Sequence, residues 1–275
     1  MLPNSSFSWH HLNQWHLGWI PVILLVLVGG AYLLGTQRAS PWPKARSLCF
    51  LLGLIVTFLA TQSVVGVYDM ALFSDHMIEH LFLIMVAAAL FAVSAPIELA
   101  RRGGSPRVQR VLCSRVTTGL LNPLVAFGLY AVFIPATHLT SFFNLMLRHE
   151  WVHHGEQIAF LLVGYLFFRQ VFGIEDGAGI NPGLRLVYVM AAVPVDTFTG
   201  LALAMESKNP FAAYRVVDSF GSQHILDSVH LGGAIMWIGG DALMLLALIP
   251  IAVTWVKSET ARTRVLDAEL DAAGL

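Results

Sequence analysis

Charged residues and cysteines are scarce in this chain of 275 residues. Asp, Glu, Lys and Arg make up 12% of it and hydrophobic residues 56%, which excludes an ordinary soluble domain. The two cysteines, Cys49 and Cys113, are too few and too far apart for a disulfide framework or a CxxC metal site. There is no glycine-rich phosphate loop, dinucleotide fingerprint, Ser/Gly linker or internal repeat. We therefore expect one domain with no nucleic-acid partner.

Long apolar runs dominate the sequence instead. Seven segments are apolar over about 20 residues, the length that a helix needs to cross a bilayer. They cover residues 17–35, 48–66, 77–97, 119–136, 155–174, 184–205 and 230–255. The runs are continuous and not alternating, which favours helices over a transmembrane barrel. The sequence thus predicts an all-α polytopic membrane protein, with a seven-helix domain at 1–256 and a tail at 257–275.

The basic residues indicate the orientation of the seven predicted helices. Thirteen of the 16 Lys and Arg residues fall on the side that holds the C-terminus, and three fall on the other side. Cytoplasmic loops are the ones enriched in Lys and Arg, so we expect an outer N-terminus and a cytoplasmic C-terminal tail. The first helix lacks a basic segment before it, which is typical of an anchor and not of a cleaved signal peptide.

All eleven histidines fall on the predicted outer side or at that interface. His76 and His80 lie four residues apart, and His149 and His153 repeat this spacing at another helix. Side chains four apart share one helical face, about 5–6 Å apart at Cβ, so one metal ion can bridge them. The segment that leads into the seventh helix adds Asp227 and His230 on a roughly common face. These six residues are the candidate metal ligands.

The identity of the metal is less constrained than its ligands. Imidazole suits zinc, copper, iron and nickel, whereas a thioether favours Cu(I). Met77 is adjacent to His76 and is a seventh candidate ligand, which tips the prediction toward copper, with zinc as the alternative. A haem held by two of the imidazoles is a further possibility.

Two acidic residues fall near the middle of predicted helices, Asp196 in the sixth and Asp241 in the seventh. Carboxylates inside a membrane usually face the interior of the bundle. They could form a proton or metal path, which a copper or haem transporter would need. They could equally be protonated acids that hydrogen-bond across two helices, and the sequence leaves both interpretations open.

The stretch His149-Glu150-Trp151-Val152-His153 matches the H-E-x-x-H motif of zinc proteases. In such an enzyme Glu150 would be the general base. Intramembrane zinc proteases usually add an N-P…L-D-G element on a later helix. Here Asn181-Pro182-Gly183 lies on the predicted cytoplasmic side, and no L-D-G occurs. A zinc-dependent membrane hydrolase is therefore the alternative hypothesis, and a protein without catalytic activity is the preferred one.

Several short motifs, taken together, resemble a known family. They are Trp9-His10…Trp15, Tyr32 with Arg38 and Trp42-Pro43…Arg46, Phe73-Ser74-x-His76-Met77-x-x-His80-Leu81, Ala95-Pro96, His149-x-x-x-His153 and Gly232-Gly233-Ala234-Ile235-Met236-Trp237. With these residues the chain resembles the seven-helix CtaG family of cytochrome c oxidase assembly factors, associated with caa-type oxidases. Many relatives carry Asp-Gln before the paired glycines, whereas this chain reads Ser228-Val229-His230. In that family the His-x-x-x-His pair of the fifth helix commonly lacks the glutamate. The resemblance therefore implies that Glu150 is incidental to the function.

The resemblance implies a function in maturing the copper centres of a haem-copper oxidase. The expected partner is the catalytic subunit of that oxidase. The expected location is a bacterial plasma membrane, with the histidine-rich face outside the cytoplasm. The sequence does not determine the oligomeric state, and a homodimer is possible.

Overall fold

The computed structural model of the protein describes residues 14–175, 180–211, 213 and 222–274. Within these ranges the chain forms helices and connecting segments, with no strand. The helices are α1 (Trp19–Arg38), α2 (Lys44–Gln62), α3 (Val64–Tyr68), α4 (Phe73–Leu81), α5 (Ala88–Ser94), α6 (Pro96–Gly103), α7 (Pro106–Leu112), α8 (Arg115–Leu120), α9 (Pro123–His138), α10 (Phe142–Met146), α11 (Glu150–Phe172), α12 (Pro182–Ala204), α13 (Ser222–Ala234) and α14 (Gly240–Ala273). Two π-helical segments, Phe82–Ala87 and Ile235–Gly239, join α4 to α5 and α13 to α14. Trp9, His10 and His11 lie outside the described residues.

The prediction of an all-α multi-pass membrane protein is confirmed. Among the described residues, five helical stretches are long and apolar enough to cross a membrane: Trp19–Arg38, Lys44–Tyr68, Phe73–Gly103, Pro182–Ala204 and His224–Ala272. Pro123–His138 is a shorter apolar helix. The number seven and the orientation stay predictions. The division at residue 256 is also untested, and α14 runs across it to Ala273 without interruption.

Helix α11 has the length of a transmembrane span but is not among the five apolar stretches. The cause is a set of polar residues on this helix that are buried against other helices: His153, Glu156, Gln157, Arg169 and Gln170. Polar side chains inside a membrane protein usually face the interior of the bundle. Helix α11 is therefore polar because it carries interior groups of the protein.

Asn-Pro pairs start two of the long helices. The Asn122 side chain accepts hydrogen bonds from the amides of Leu124 and Val125, 2.9 and 3.4 Å away, and Pro123 occupies the first turn of α9. Asn181 does the same for α12, where it accepts from the Gly183 amide at 3.0 Å. Asparagine caps free amides at a helix start, and proline has no amide to satisfy there. These local signals place the helix starts close to where the sequence predicts them.

Helix α11 packs closely against the π-helical segment Phe82–Ala87 and α5, because Gly164 lacks a side chain. A Cβ atom at this position would meet the Ile84 carbonyl oxygen and would lie 2.8 Å from the Ala88 Cβ atom. Small residues permit this kind of close approach between membrane helices. The approach brings the polar face of α11 next to the polar face of α4.

Replacing Gly164 by alanine is expected to lower the free energy of unfolding by about 1–3 kcal/mol, the usual cost of overpacking. Gly155 on the same helix is the matched control, because a Cβ atom there would meet nothing within 4 Å. Gly155→Ala should be neutral or stabilising by up to about 1 kcal/mol, since alanine is the better helix former. Thermal unfolding of the two variants in one detergent compares them, and equal melting temperatures would contradict the expectation.

A buried ion pair lies at the end of α11 opposite to His153. Arg169 Nε donates to Glu175 Oε2 at 2.6 Å, and both side chains are about 1% exposed. Glu175 Oε1 also accepts from the Ile97 amide at 2.9 Å, in the first turn of α6. One carboxylate thus joins the C-terminal end of α11 to the start of α6.

Candidate metal centre

Three helices and one loop bring a group of buried titratable side chains together. Helix α4 contributes His76, Glu79 and His80, helix α11 contributes His153 and Glu156, and the last residue of α9 is His138. Asp69 follows α3. Each of these seven residues is at most 3% exposed: Asp69, His76, Glu79, His80, His138, His153 and Glu156. We call this group the histidine–carboxylate cluster.

The inner half of the cluster consists of His76, His80, His138 and Glu156. Ligand atoms of the three histidines lie within 4.8 Å of one another. The Nε2 atoms of His76 and His80 lie 3.8 and 3.7 Å from the Glu156 carboxylate oxygens. These distances are too long for hydrogen bonds and leave room between the groups. Three imidazoles and one carboxylate are a ligand set that suits a transition-metal ion.

Among the described side chains, seven of the nine buried polar atoms without a hydrogen-bond partner lie in the inner half, and the other two are on Arg169 and Gln170. The seven are both ring nitrogens of His76, both ring nitrogens of His80, Nε2 of His138 and both carboxylate oxygens of Glu156. A buried polar group without a partner costs about 1–3 kcal/mol. Seven such atoms on four neighbouring residues therefore need an explanation, and a cation that takes one ligand atom from each residue would satisfy several of them at once.

The orientation of His138 is set by its own helix. Its Nδ1 atom lies 2.8 Å from the Ile134 carbonyl oxygen, which can only accept a hydrogen bond. Nδ1 therefore carries the proton, and Nε2 keeps a free lone pair. Histidines that bind metals commonly use the second nitrogen in this way to fix the ring. His138 is thus prepared to be a ligand through Nε2.

The other half of the cluster, in contrast, is joined by hydrogen bonds. His153 Nε2 lies 3.2 Å from Glu79 Oε2 and 3.4 Å from Asp69 Oδ2, and Gln157 donates to Glu79 Oε1 at 2.6 Å. Burial, followed by the neighbouring Glu79 carboxyl group, raises the pKa of Asp69 well above its usual range. Ligand atoms of His76, Glu79 and His153 also lie within 4.8 Å of one another. The contacts within this half fix the positions of Asp69, Glu79 and His153 relative to one another. This half adjoins the inner half at His76.

Aromatic rings cover the inner half. The Phe160 ring stacks on His80, with centroids 3.8 Å apart and planes 8° apart, and Phe143 meets His76 edge-on at 4.9 Å. Both phenylalanines are fully buried. They hold the imidazoles in place and exclude water, which strengthens electrostatic interactions inside the cluster.

The structure brings together three of the predicted ligands, His76, His80 and His153. Met77 is buried beside them at 2% exposure. His149, Asp227 and His230 lie elsewhere. His149 and Asp227 are exposed, and the His230 ring donates through Nε2 to the Glu206 carbonyl oxygen at 2.7 Å.

The predicted pairing of His149 with His153 on one helical face is corrected by the structure. Helix α11 begins at Glu150, and His149 precedes it with an extended backbone, φ −138° and ψ 103°. The regular spacing of a helix therefore does not apply to His149. Its side chain is exposed, whereas His153 is buried.

The arrangement that the zinc-protease hypothesis requires is not formed by the H-E-x-x-H motif. The Glu150 side chain is 80% exposed, and its carboxylate lies 3.9 Å from Nε2 of the half-exposed His154. A general base must reach a water molecule on a metal held by both histidines of the motif. Glu150 and His149 are both outside the cluster, so this motif does not assemble such a site.

Sequence reasoning missed His138, Glu79, Glu156 and Asp69. Two of them had a signal in the spacing, because His76 and Glu79, like His153 and Glu156, lie three apart on a helix. An acidic residue inside an apolar stretch is a further signal. His138 and Asp69 had no comparable signal, since each comes from a different helix or loop and joins the cluster through packing.

The two acids that the sequence predicts near the middle of membrane helices each join neighbouring helices. Asp196 on α12 is 2% exposed and accepts a hydrogen bond from the Tyr130 hydroxyl on α9 at 2.7 Å. Asp241 on α14 accepts from Thr197 Oγ1 on α12 at 3.0 Å. These contacts fit the structural interpretation, but Asp196 also lines a small cavity that reaches the histidines.

The fold and the cluster define the protein as a helical multi-pass membrane protein with a buried histidine–carboxylate centre. The sequence model of the family described as cytochrome c oxidase caa3 assembly factor (Caa3_CtaG) matches residues 30–258. The chain belongs to this family, as the resemblance of its short motifs predicted.

Curated relatives come from mycobacteria. The chain is 30% identical over 257 residues to uncharacterized protein Mb0105 of Mycobacterium bovis and to uncharacterized protein MT0111 of Mycobacterium tuberculosis. Each alignment covers 88% of this chain and 39% of the relative. Uncharacterized protein ML1998 of Mycobacterium leprae is 30% identical over 85% of this chain and 38% of its own length. The chain thus spans about two fifths of these relatives. No solved structure matches it.

Proposed function

We propose that this protein binds copper at the inner half of its histidine–carboxylate cluster and supplies it to the catalytic subunit of a haem-copper cytochrome c oxidase. The observation that carries the proposal is the group of seven buried polar atoms without partners on His76, His80, His138 and Glu156. Copper is the cargo here, and the protein itself has no catalytic function. The membrane is a bacterial plasma membrane, and the cluster lies near its extracytoplasmic face.

The chemistry of the cluster supports a metal cargo over a structural function for these histidines. A structural histidine usually satisfies its nitrogens with nearby donors or acceptors, as His153 does with Glu79 in the other half of the cluster. The Glu156 carboxylate supplies the negative charge that offsets a cation in a medium of low dielectric constant. Imidazole accepts copper as well as zinc. The family description, an assembly factor of an oxidase, favours copper.

Replacing Glu156 by glutamine tests the proposal. The change keeps the size of the side chain and removes the anionic ligand, so we expect copper affinity to fall at least about 10-fold. Copper in detergent-purified protein would be measured by elemental analysis beside zinc. Oxidase activity would be measured in cells that carry the variant, where it should fall in parallel.

Glu150→Gln is the matched control, because it is the same substitution on the same helix at an exposed position. It should leave both copper content and oxidase activity unchanged. A Glu156→Gln variant with full copper content and full oxidase activity would overturn the proposal. A purified protein that binds zinc and no copper would also overturn it, in favour of the zinc alternative.

A further inference from the structure

A small cavity adjoins the histidine–carboxylate cluster at His80 and His138. Its volume is about 20 Å³, enough for one water-sized particle. Ten residues from α4, α9, α11, α12 and both π-helical segments line it. The polar or sulfur-bearing ones are Met77, His80, Met85, His138, Asp196 and Met236.

We propose that this cavity is a Cu(I) site, in which His80 and His138 act together with methionine thioethers and Asp196 balances the charge. The inference rests on the proposed function and deepens it, because it assigns the oxidation state of the cargo and a second position for it. His80 and His138 border both positions. The inner half, which contains the Glu156 carboxylate, suits a divalent ion. The cavity, which contains the methionines, suits a monovalent ion.

The three methionines carry the argument for Cu(I). Thioether sulfur is a soft ligand that favours Cu(I) over the harder divalent ions. A methionine in a membrane protein is commonly core filler, and a single one would mean little. Here three of the nine methionines in the chain line one cavity of about 20 Å³, beside imidazole nitrogens that have no other partner.

The π-helical segments supply an independent observation. Met85 lies in the segment Phe82–Ala87 and Met236 in the segment Ile235–Gly239. Segments of this kind are rare and occur frequently at functional sites, because they shift the side chains of a helix out of its regular register. Both π-helical segments of the described chain thus contribute a methionine to the same cavity.

Asp196 completes the site by its charge. A cation held by imidazole and thioether ligands alone would leave a net positive charge in a medium of low dielectric constant, which is costly. A single carboxylate in the cavity wall balances a monovalent ion. The hydrogen bond from Tyr130, 2.7 Å long, fixes the position of this carboxylate. Asp241 does not line the cavity and cannot serve in the same way.

X-ray absorption of the unsubstituted protein, loaded anaerobically with Cu(I), is the first test. We expect a shell of sulfur scatterers in addition to nitrogen. Bound Cu(I) with nitrogen and oxygen ligands alone would overturn the Cu(I) site but leave the proposed function standing. A protein that binds neither Cu(I) nor Cu(II) would end both proposals, so the two failures are distinguishable.

Substitutions give the second test, with a chelator competition for Cu(I). Combined replacement of Met77, Met85 and Met236 by leucine keeps the volume, and we expect Cu(I) affinity to fall at least about 10-fold while Cu(II) affinity is unchanged. The control replaces Met190 and Met205, which are 50% and 74% exposed, by leucine. Unchanged Cu(I) affinity in the cavity variant would overturn the methionine ligands.

Asp196→Asn tests the charge, because asparagine retains an oxygen that accepts from Tyr130. It should also lower Cu(I) affinity at least about 10-fold, whereas Asp241→Asn should not. Equal affinities of these two variants would overturn the assignment of Asp196.

Discussion

Replacing His138 by glutamine is expected to lower copper affinity on the order of 100-fold, because the inner half of the cluster loses a ligand that its own helix has oriented. Changes to the groups that merely orient a metal ligand already cost about 10–100-fold. Glutamine is close to histidine in volume and can still donate to the Ile134 carbonyl oxygen. The measurement is a copper titration of the purified protein, together with its melting temperature without metal.

His149→Gln is the matched control for this prediction. The same substitution at an exposed position before α11 should leave copper affinity unchanged. These two variants distinguish the ligand assignment made from the structure from the one made from sequence spacing. The spacing predicted His149 as a ligand and overlooked His138. Loss of affinity in His149→Gln, with none in His138→Gln, would reverse the assignment that the structure supports.

Replacing Glu175 by glutamine is expected to lower the free energy of unfolding by about 3–5 kcal/mol, the cost of breaking a buried ion pair by removing one partner. Arg169 would keep its charge at about 1% exposure and lose its anionic partner. Glutamine retains an oxygen that can accept from the Ile97 amide, so the start of α6 stays capped. The effect therefore isolates the uncompensated charge. Thermal and denaturant unfolding in detergent would measure it.

A second substitution serves as the control for the ion pair. Arg169→Met removes the remaining charge from the Glu175→Gln variant, and the double variant should recover much of the lost stability, as apolar replacements of buried pairs often do. A double variant that is less stable than Glu175→Gln alone would show that the contacts of Arg169 matter more than its charge. Copper binding should be unaffected in both variants, because the pair lies at the far end of α11.

The helices of this protein could largely be predicted from local signals. Continuous apolar runs predict membrane helices, and pairs such as Asn122-Pro123 and Asn181-Pro182 mark their starts. Helix α11 shows the limit of hydropathy, since its buried polar residues lower the apolar signal. The spacing of His76 and His80 correctly predicts that they lie together, with ring centroids 4.1 Å apart. Both residues are inside one regular helix, where spacing determines proximity.

The same rule failed for His149 because it assumes a helix that has not yet begun at that residue. A helix boundary is uncertain by one or two residues, and here that uncertainty decides whether a side chain is buried or exposed. Their spacing predicted that Asp227 and His230 share one face of a helix. Spacing does not determine whether that face points toward the cluster or away from it. The His230 ring points to the Glu206 carbonyl oxygen and not to the cluster.

The sequence by itself determined the class of protein, the approximate positions of its long apolar helices, its family and the histidine pair on α4. These follow from composition, from short motifs and from contacts within one helix. Only the tertiary structure decided that His138 and Glu156 complete the inner half, that Asp69 and Glu79 hold His153, and that three methionines reach one cavity. Such groups combine residues up to about 160 positions apart, as Met77 and Met236 are in lining one cavity. They depend on how the helices rotate and pack against each other, which no local pattern records.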